Sequence, residues 1–156
     1  MRLFFLPALL CALALFWGCA GSSQDSLPDL RLPTLSARLG ASLASCPTAK
    51  CLTIYVAPWC GYCRAGTPLI LALRRHLKER GVATRVVVGM SGLEEIEAYA
   101  REFGPDTLLD PEGSYRVAGV PHFIVSNQKG AILRDVAGMP FAIENVADFA
   151  SYYGLP

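Results

Sequence analysis

The chain has 156 residues, of which 53% are hydrophobic and 17% are charged. This composition can bury the core of a single domain, and it excludes a chain that is disordered throughout. Basic residues (14) and acidic residues (13) nearly balance at a formal net charge of +1. The basic residues form no cluster, which excludes nucleic acid as an expected partner.

The first 18 residues have the pattern of an export signal. Residues 3–17 are almost wholly apolar after a positively charged start, and this run is shorter than the roughly 20 apolar residues that a transmembrane helix needs. We therefore interpret residues 1–18 as a signal peptide. The stretch ending in Gly18 and Cys19 resembles a bacterial lipobox, in which the cysteine receives a diacylglycerol and becomes the new N-terminus.

The lipobox resemblance implies attachment to a membrane through lipid on Cys19, on the periplasmic side, with the outer membrane favoured by Ala20. Ordinary secretory cleavage near Gly21 and an uncleaved anchor are the alternatives. Residues 19–33 are polar and contain prolines, which predicts a flexible tether. The folded domain is expected over residues 34–156.

The domain is predicted to alternate between helices and strands. Helices are indicated by apolar residues at helical spacing, and strands by short runs rich in β-branched and aromatic residues. Ser91 and Glu94 form a sequence pattern for a capping box at the start of one helix. In chain order, we predict a helix over residues 35–43, a strand over 52–57, a helix over 60–80, a strand over 83–88, a helix over 91–103, strands over 120–126 and 131–136, and a helix over 141–153. This order predicts an α/β fold, a mixed β-sheet flanked by helices on both faces.

A Cys-x-x-Cys pair, Cys60 and Cys63, lies between the first predicted strand and the long helix. A thiol at a helix N-terminus meets unpaired backbone N–H groups and the positive end of the helix dipole, and both favour the thiolate. Because the thiolate is the attacking species in disulfide exchange, Cys60 is the predicted nucleophile. Cys63 lies one helical turn later and is the predicted resolving cysteine.

Residues 57–63 resemble the active-site segment of the thioredoxin superfamily. Pro68 matches the proline that kinks the active-site helix of that family, and Pro121 matches its cis-proline, which faces the two sulfurs. Residues 108–113 resemble the TlpA-like extracytoplasmic branch. The resemblance extends over residues 35–153 and implies a thioredoxin fold.

The resemblance also implies roles for the residues around the two cysteines. Val120, which precedes the cis-proline Pro121, would offer its backbone to an extended substrate strand, and Trp59 would shield the sulfurs. The implied protein is an exported thiol–disulfide oxidoreductase, a reductase or isomerase of periplasmic protein disulfides. It would need no metal and no cofactor besides the redox-active Cys60–Cys63 disulfide. Its implied partners are cysteine-containing exported proteins and a membrane redox partner.

The sequence departs from the thioredoxin pattern in two places. Thioredoxins proper carry a buried aspartate in the strand before the motif, and the matching residue here is Ile54. Gly61 and Tyr62, between the cysteines, resemble periplasmic disulfide isomerases more than the Gly-Pro of thioredoxins. Both departures favour a protein other than a plain thioredoxin. They do not determine its reduction potential, which spans about −270 to −120 mV across such proteins.

A second close pair, Cys46 and Cys51, precedes the first predicted strand. The simplest interpretation is a structural disulfide that closes a small loop, worth about 2 kcal/mol from loop entropy. A redox pair that exchanges electrons with Cys60 and Cys63, and a zinc site formed by all four thiols, are the alternatives. A strand of six residues would separate the two pairs by about 20 Å, which disfavours both alternatives.

His122 directly follows the predicted cis-proline. It would lie either near the sulfurs, where it could tune them or accept a proton, or in a packed strand position. For the chain as a whole, the competing function is a non-catalytic lipoprotein that uses a thioredoxin scaffold to bind a metal or a partner protein.

Overall fold

The computed structural model describes residues 26–140, residue 143 and residues 145–156. The elements in chain order are β1 (Lys50–Val56), α1 (Gly61–Glu79), β2 (Ala83–Gly89), α2 (Leu93–Ala100), β3 (Leu108–Asp110), β4 (His122–Asn127), β5 (Ile132–Ala137) and α3 (Val146–Tyr152). The predicted signal peptide, residues 1–18, and the predicted lipidation site, Cys19, lie outside the described residues. Within the described part, no helix is long and apolar enough to cross a membrane.

The five strands form one mixed sheet in the order β3-β2-β1-β4-β5. Strands β1, β2 and β3 run parallel, whereas β4 is antiparallel to β1 and β5 is antiparallel to β4. The central strand β1 is buried along its length except at Lys50, as its continuous apolar run predicts for a strand covered on both faces. Its carboxyl end leads directly to the Cys-x-x-Cys pair.

One face of the sheet carries all three described helices. Alternate residues along β1, β2 and β4 point to this face, where they meet buried residues of α1, α2 and α3 in one apolar core. Representative members of this core are Ile54, Leu73, Val88, Tyr99 and Phe149. The core holds α1 against the sheet and thereby places the first turn of α1 at the end of β1.

The other face is covered by irregular chain instead of the predicted helices. Leu27, Leu32 and Leu43 are buried there against Tyr55 and Val87. The expectation of helices on both faces is therefore corrected for the described residues. Residues 26–33, which the sequence analysis assigned to the tether, pack on this face; the rest of that segment, residues 19–25, lies outside the described residues.

The helix predicted over residues 35–43 is absent. Thr34 accepts hydrogen bonds through its side-chain oxygen from the backbone N–H groups of Ser36 (3.2 Å) and Ala37 (2.8 Å), and such bonds compete with helical ones. Close packing adds to this effect, because a Cβ at Gly40 would lie only 2.5 Å from Cδ2 of Leu108. Helical spacing of leucines was therefore not sufficient for a helix here.

The other elements differ from prediction mainly at their ends. Strand β3 was not predicted, since three residues are too few to show a pattern. Helix α2 has Gly92 as its N-cap without a side-chain hydrogen bond, and Ser91 bonds the carboxylate of Glu95 instead of forming a capping box. Helix α3 begins later than predicted, after Asn145, whose side chain accepts from the Asp148 N–H at 3.0 Å.

Candidate functional site

Cys60 occupies the N-cap position of α1. Its backbone is extended (φ −77°, ψ 109°), and its Sγ accepts a hydrogen bond from the Cys63 N–H at 3.1 Å. The two cysteines are joined as a disulfide with their Cα atoms 5.2 Å apart. Cys60 is 5% exposed and Cys63 is fully buried. An incoming sulfur can therefore reach Cys60 more readily than Cys63.

The start of α1 favours negative charge on Cys60. The first amide groups of a helix have no intrahelical partner and form the positive end of its dipole. The first turn, residues 61–64, carries Arg64 and no acidic side chain. Arg64 is held close by, because its Nε donates to the Pro58 carbonyl at 2.9 Å and its Nη1 pairs with Glu102 at 2.9 Å. A helix start of this kind is a setting that favours a thiolate over a thiol.

The Val120–Pro121 peptide bond is cis. The carbonyl oxygen of Val120 lies 3.5 Å from Sγ of Cys60, and the Pro121 carbonyl accepts from the Gly138 N–H at 2.7 Å. This loop reaches the sulfurs because β4, which begins at the next residue, pairs with β1. The structure thus brings Cys60, Cys63 and Pro121 to one end of the sheet.

An open groove of about 370 Å³ lies along the cis-proline loop. It is lined by Tyr62, Val120, Pro121, Ala137, Gly138, Met139 and Pro140. The Tyr62 side chain is 75% exposed, and Met139 packs on Gly66 of α1, where an added Cβ would come within 3.2 Å of its Cε. The groove offers apolar side chains and the Val120 backbone beside Cys60, which suits an extended peptide segment. Sequence reasoning missed Met139, which is distant in the chain from every recognised motif.

Trp59 lies on the side of the site formed by the loop between β2 and α2. Its indole Nε1 donates to the carbonyl of Met90 at 2.6 Å, while the side chain remains 61% exposed. Met90 has a positive φ of 61° and is itself 43% exposed. The indole is therefore oriented by the backbone while much of its surface stays open to a partner.

The position that holds a buried aspartate in thioredoxins is part of the apolar core here, since Ile54 is fully buried in the same core as Cys63. Thr67 donates to the Cys63 carbonyl at 3.0 Å and shares a 2.9 Å hydrogen bond with the hydroxyl of Tyr99. Burial raises the pKa of Tyr99. The spacing of four residues from Cys63 was the signal that could have identified Thr67.

His122 occupies a packed strand position. It lies on the same side of β4 as Ile124, which belongs to the core opposite the helices. Its Nδ1 is 3.1 Å from the carbonyl oxygen of Gly119, and its Nε2 contacts the carboxylate of Asp135. Sequence reasoning did not identify Asp135, because the contact depends on the pairing of β4 with β5.

A buried carboxylate ties the end of β3 to the central strand. Asp110 is fully buried and accepts hydrogen bonds from the Tyr55 hydroxyl (2.9 Å) and from the N–H groups of Ser114 (2.7 Å) and Tyr115 (3.0 Å). Burial, followed by the hydrogen bond to Asp110 and its charge, raises the pKa of Tyr55. This aspartate lies in the segment that resembles the TlpA-like branch, and its role in the described structure is to order the loop after β3.

Cys46 and Cys51 also form a disulfide, with Cα atoms 5.7 Å apart. Cys51 lies at the amino end of β1, whereas Cys60 follows its carboxyl end. At about 3.3 Å per strand residue, the two pairs are about 20 Å apart, and the structure does not bring them together. Among the residues described, no group of three or more His, Cys, Asp or Glu side chains could hold a metal ion.

No family model and no curated protein matches this chain. Solved structures do match it: a secreted disulfide oxidoreductase of Mycobacterium tuberculosis, homologous to DsbE of E. coli, is 14% identical with a TM-score of 0.61, over 81% of this chain and 95% of that one. A thiol:disulfide interchange protein of the thioredoxin family from Chlorobium tepidum is 17% identical with a TM-score of 0.60, over 83% and 94%. The exposed lipoprotein thioredoxin of Streptococcus pneumoniae is 17% identical with a TM-score of 0.62, over 81% and 98%. These similarities confirm the thioredoxin fold.

Proposed function

We propose that this chain, which has the thioredoxin fold, is an exported thiol–disulfide oxidoreductase that reduces or isomerises disulfides of periplasmic proteins. The observation that carries the proposal is the environment of Cys60. Its sulfur caps α1, is bonded to the buried Cys63, and lies 3.5 Å from the carbonyl that precedes a cis-proline. The solved structures of the same fold include a disulfide oxidoreductase and a thiol:disulfide interchange protein, which supports this interpretation of the geometry.

The proposed reduction proceeds in two exchanges. The Cys60 thiolate attacks one sulfur of a substrate disulfide, so that a mixed disulfide forms and one substrate thiolate leaves. Cys63 then loses its proton and attacks the Cys60 sulfur, which re-forms the Cys60–Cys63 disulfide and releases the second substrate thiolate. Two electrons pass to the substrate, and two protons complete its thiols. For isomerisation, the first substrate thiolate attacks a second disulfide of the substrate and displaces a new substrate thiolate. That thiolate then attacks the substrate sulfur of the mixed disulfide, which forms a new substrate disulfide and releases Cys60 as a thiolate.

The surroundings of the pair fit this sequence of steps. The positive end of α1 stabilises the thiolate both as attacking group and as leaving group. The burial of Cys63 keeps it from external sulfurs while it remains bonded to Cys60. The groove along the cis-proline would hold an extended segment of the substrate, with Val120 supplying backbone hydrogen bonds and Tyr62 an aromatic surface. Cysteine-containing exported proteins are the proposed substrates.

The reducing equivalents would come from a membrane redox partner, and the exposed indole of Trp59 is part of the surface proposed to meet both partners. We further propose that lipid on Cys19 holds the protein on the periplasmic side of a bacterial membrane, the outer membrane being favoured. This location rests on the sequence pattern of residues 1–19. The disulfide between Cys46 and Cys51 is proposed to be structural.

Trapping of the mixed disulfide tests the reaction. In a Cys63→Ser variant the second exchange is blocked, so the reduced protein incubated with a cystine-containing peptide should accumulate a covalent adduct on Cys60, detected by mass spectrometry. A Cys60→Ser variant is the matched control and should form no adduct. Wild-type protein should release reduced peptide and return to the disulfide form.

Two results would contradict this function. One is a Cys63→Ser protein without adducts although its Cys60 thiol is free. The other is purified wild-type protein with about one metal ion per chain and unreactive thiols, which would instead support the binding lipoprotein. The reduction potential of the Cys60–Cys63 couple then separates the roles, because a value near about −270 mV is typical of a reductase and one near about −120 mV of an oxidase.

A further inference from the structure

The three carbonyl groups of the cis-proline loop, residues 119–121, each have a close neighbour, and two of these neighbours are nitrogen atoms. The first lies 3.1 Å from Nδ1 of His122. The second lies 3.5 Å from Sγ of Cys60. The third accepts from the Gly138 N–H at 2.7 Å. Among the described residues, His122 is therefore the one whose side-chain nitrogen contacts a carbonyl of this loop.

The ring of His122 lies between two hydrogen-bond acceptors. Nδ1 faces the carbonyl oxygen of Gly119, and Nε2 faces the carboxylate of Asp135 on β5. Neither a carbonyl oxygen nor an ionised carboxylate can donate, so each contact needs a proton on the ring. A neutral imidazole carries one N–H, whereas an imidazolium carries two. Both contacts can therefore be hydrogen bonds only when one proton is present in addition to the single N–H of a neutral imidazole. This extra proton is shared by the His122 ring and the Asp135 carboxylate.

Of the charged groups around the His122 ring, Asp135 is the one that pairs with it. On β5 the neighbouring Arg134 lies on the other side, with its guanidinium over an aromatic ring of α3 at 4.4 Å. From the loop before β4, Tyr115 approaches the pair, and burial followed by the charge of Asp135 raises its pKa to about 12. From β1, Tyr55 pairs with His122 in register, and its hydroxyl donates to the carboxylate at the end of β3.

We propose that His122 is a positioning residue for disulfide exchange, and that the proton shared by His122 and Asp135 sets how firmly the cis-proline loop is held beside Cys60. This inference rests on the proposed function of the chain. With the extra proton present, the ring donates to Gly119 and to Asp135 together. When this proton is lost at higher pH, one ring nitrogen has a lone pair that faces an acceptor, so no hydrogen bond forms there. The loop that receives the substrate then loses part of its support. Substrate binding weakens as the pH rises, independently of the ionisation of Cys60.

The Asp135→Asn variant separates this effect from the titration of the cysteines. The amide of an asparagine can donate to Nε2, which leaves the single proton of a neutral ring on Nδ1 for the Gly119 carbonyl. The loop should then be held without an extra proton. When the pH is raised from about 5 to about 8, the KM of wild type for a cystine-containing peptide should rise by about two- to tenfold more than the KM of Asp135→Asn, while the ratio of the two kcat values stays constant.

The His122→Phe variant removes the hold on the loop and keeps the volume of the ring. Its KM should equal or exceed the high-pH value of wild type at every pH, with kcat within about twofold of wild type. The charge of Asp135 remains solvated in this variant, since its side chain is 49% exposed. His76→Gln, at the other histidine of the chain, is the matched control and should keep the wild-type profile. Thermal unfolding establishes that each variant is folded at the assay temperature.

Nuclear magnetic resonance provides a readout that does not require activity. The backbone amide signals of Gly119 and Val120 should shift with pH in step with the ring of His122 in wild type, and should not do so in Asp135→Asn. Two results would overturn the positioning role of His122. One is amide signals of Gly119 and Val120 that do not shift in step with the ring of His122. The other is a pH profile of KM that is the same for wild type and Asp135→Asn. Wild-type protein that exchanges no disulfides would overturn the proposed function instead, and the amide signals would still decide the role of His122 in holding the loop.

Discussion

Two buried tyrosines differ in whether their hydroxyl groups have a partner, and this difference makes a quantitative prediction. Tyr55 is fully buried, and its hydroxyl donates to the buried carboxylate of Asp110 at 2.9 Å. Tyr153 is 2% exposed, and its hydroxyl has no hydrogen-bond partner among the described residues. Removal of the same atom from each residue should therefore change the free energy of unfolding by different amounts.

Tyr55→Phe should lower the free energy of unfolding by about 2 kcal/mol. A hydrogen bond to a charged group is worth about 1.5–3 kcal/mol, and the lower part of this range applies because two backbone N–H groups still bind the Asp110 carboxylate. The ring itself can stay in place, since it is seated against Gly89, where an added Cβ would collide with the hydroxyl. Tyr153→Phe removes a buried group that is unpaired, and should leave stability unchanged or raise it by up to about 1 kcal/mol.

Guanidinium chloride unfolding of the oxidised proteins, followed by circular dichroism, measures both changes. A loss of 2 kcal/mol in a domain of this size lowers Tm by about 4–8 °C. The double variant Tyr55→Phe/Asp110→Asn tests the coupling, and its loss of stability should be smaller than the sum of the two single losses. If Tyr55→Phe is no more destabilising than Tyr153→Phe, the Tyr55–Asp110 hydrogen bond does not stabilise the fold and the reasoning is refuted.

Two further predictions concern the cysteines outside the active pair. Replacement of Cys46 and Cys51 together by alanine should lower the free energy of unfolding, measured by denaturant unfolding, by about 2 kcal/mol. Adduct formation at Cys60, measured by mass spectrometry, should be unchanged. Loss of disulfide exchange in this variant would instead favour an electron relay between the two cysteine pairs. Replacement of Cys19 by serine should move the protein from the membrane and detergent phases to the soluble phase in cell fractionation. Cys11→Ser is the matched control. A Cys19→Ser protein that remains in the membrane would exclude lipid on Cys19 as the anchor.

The sequence was sufficient to predict the parts of the candidate site whose residues are close along the chain. Cys60 and Cys63 are three residues apart between a β-rich run and a helical pattern, so their placement at a helix start follows from local chemistry. The buried strand before the cysteines was recognisable for the same reason, whereas Pro121 was identified through its resemblance to the cis-proline of the thioredoxin superfamily. The order of the remaining strands and helices was also predictable, apart from the absent helix over residues 35–43 and the unpredicted β3, because each of these elements carries its own hydrophobic period.

The secondary-structure prediction was wrong where packing between distant parts of the chain decides the local structure. Leucines at helical spacing over residues 35–43 suggested a helix, yet turns centred on Thr34 and the close packing of Gly40 produce an irregular cover for the sheet. The burial of Leu27 likewise depends on a surface that exists only after the sheet has formed. Residues 19–33 were predicted to be a tether because this polar, proline-containing segment has no sustained apolar period.

The family resemblance pointed to the proline before the neighbouring strand, and the local sequence predicted which sulfur lies at a helix start and which one follows a turn later. These are properties of short segments, governed by backbone geometry and side-chain type. The contact between Asp135 and His122, the hydrogen bond between Tyr99 and Thr67, and the position of Met139 in the groove depend on the tertiary structure. Such contacts join residues far apart in the chain, and they form through strand pairing and packing that no local pattern encodes.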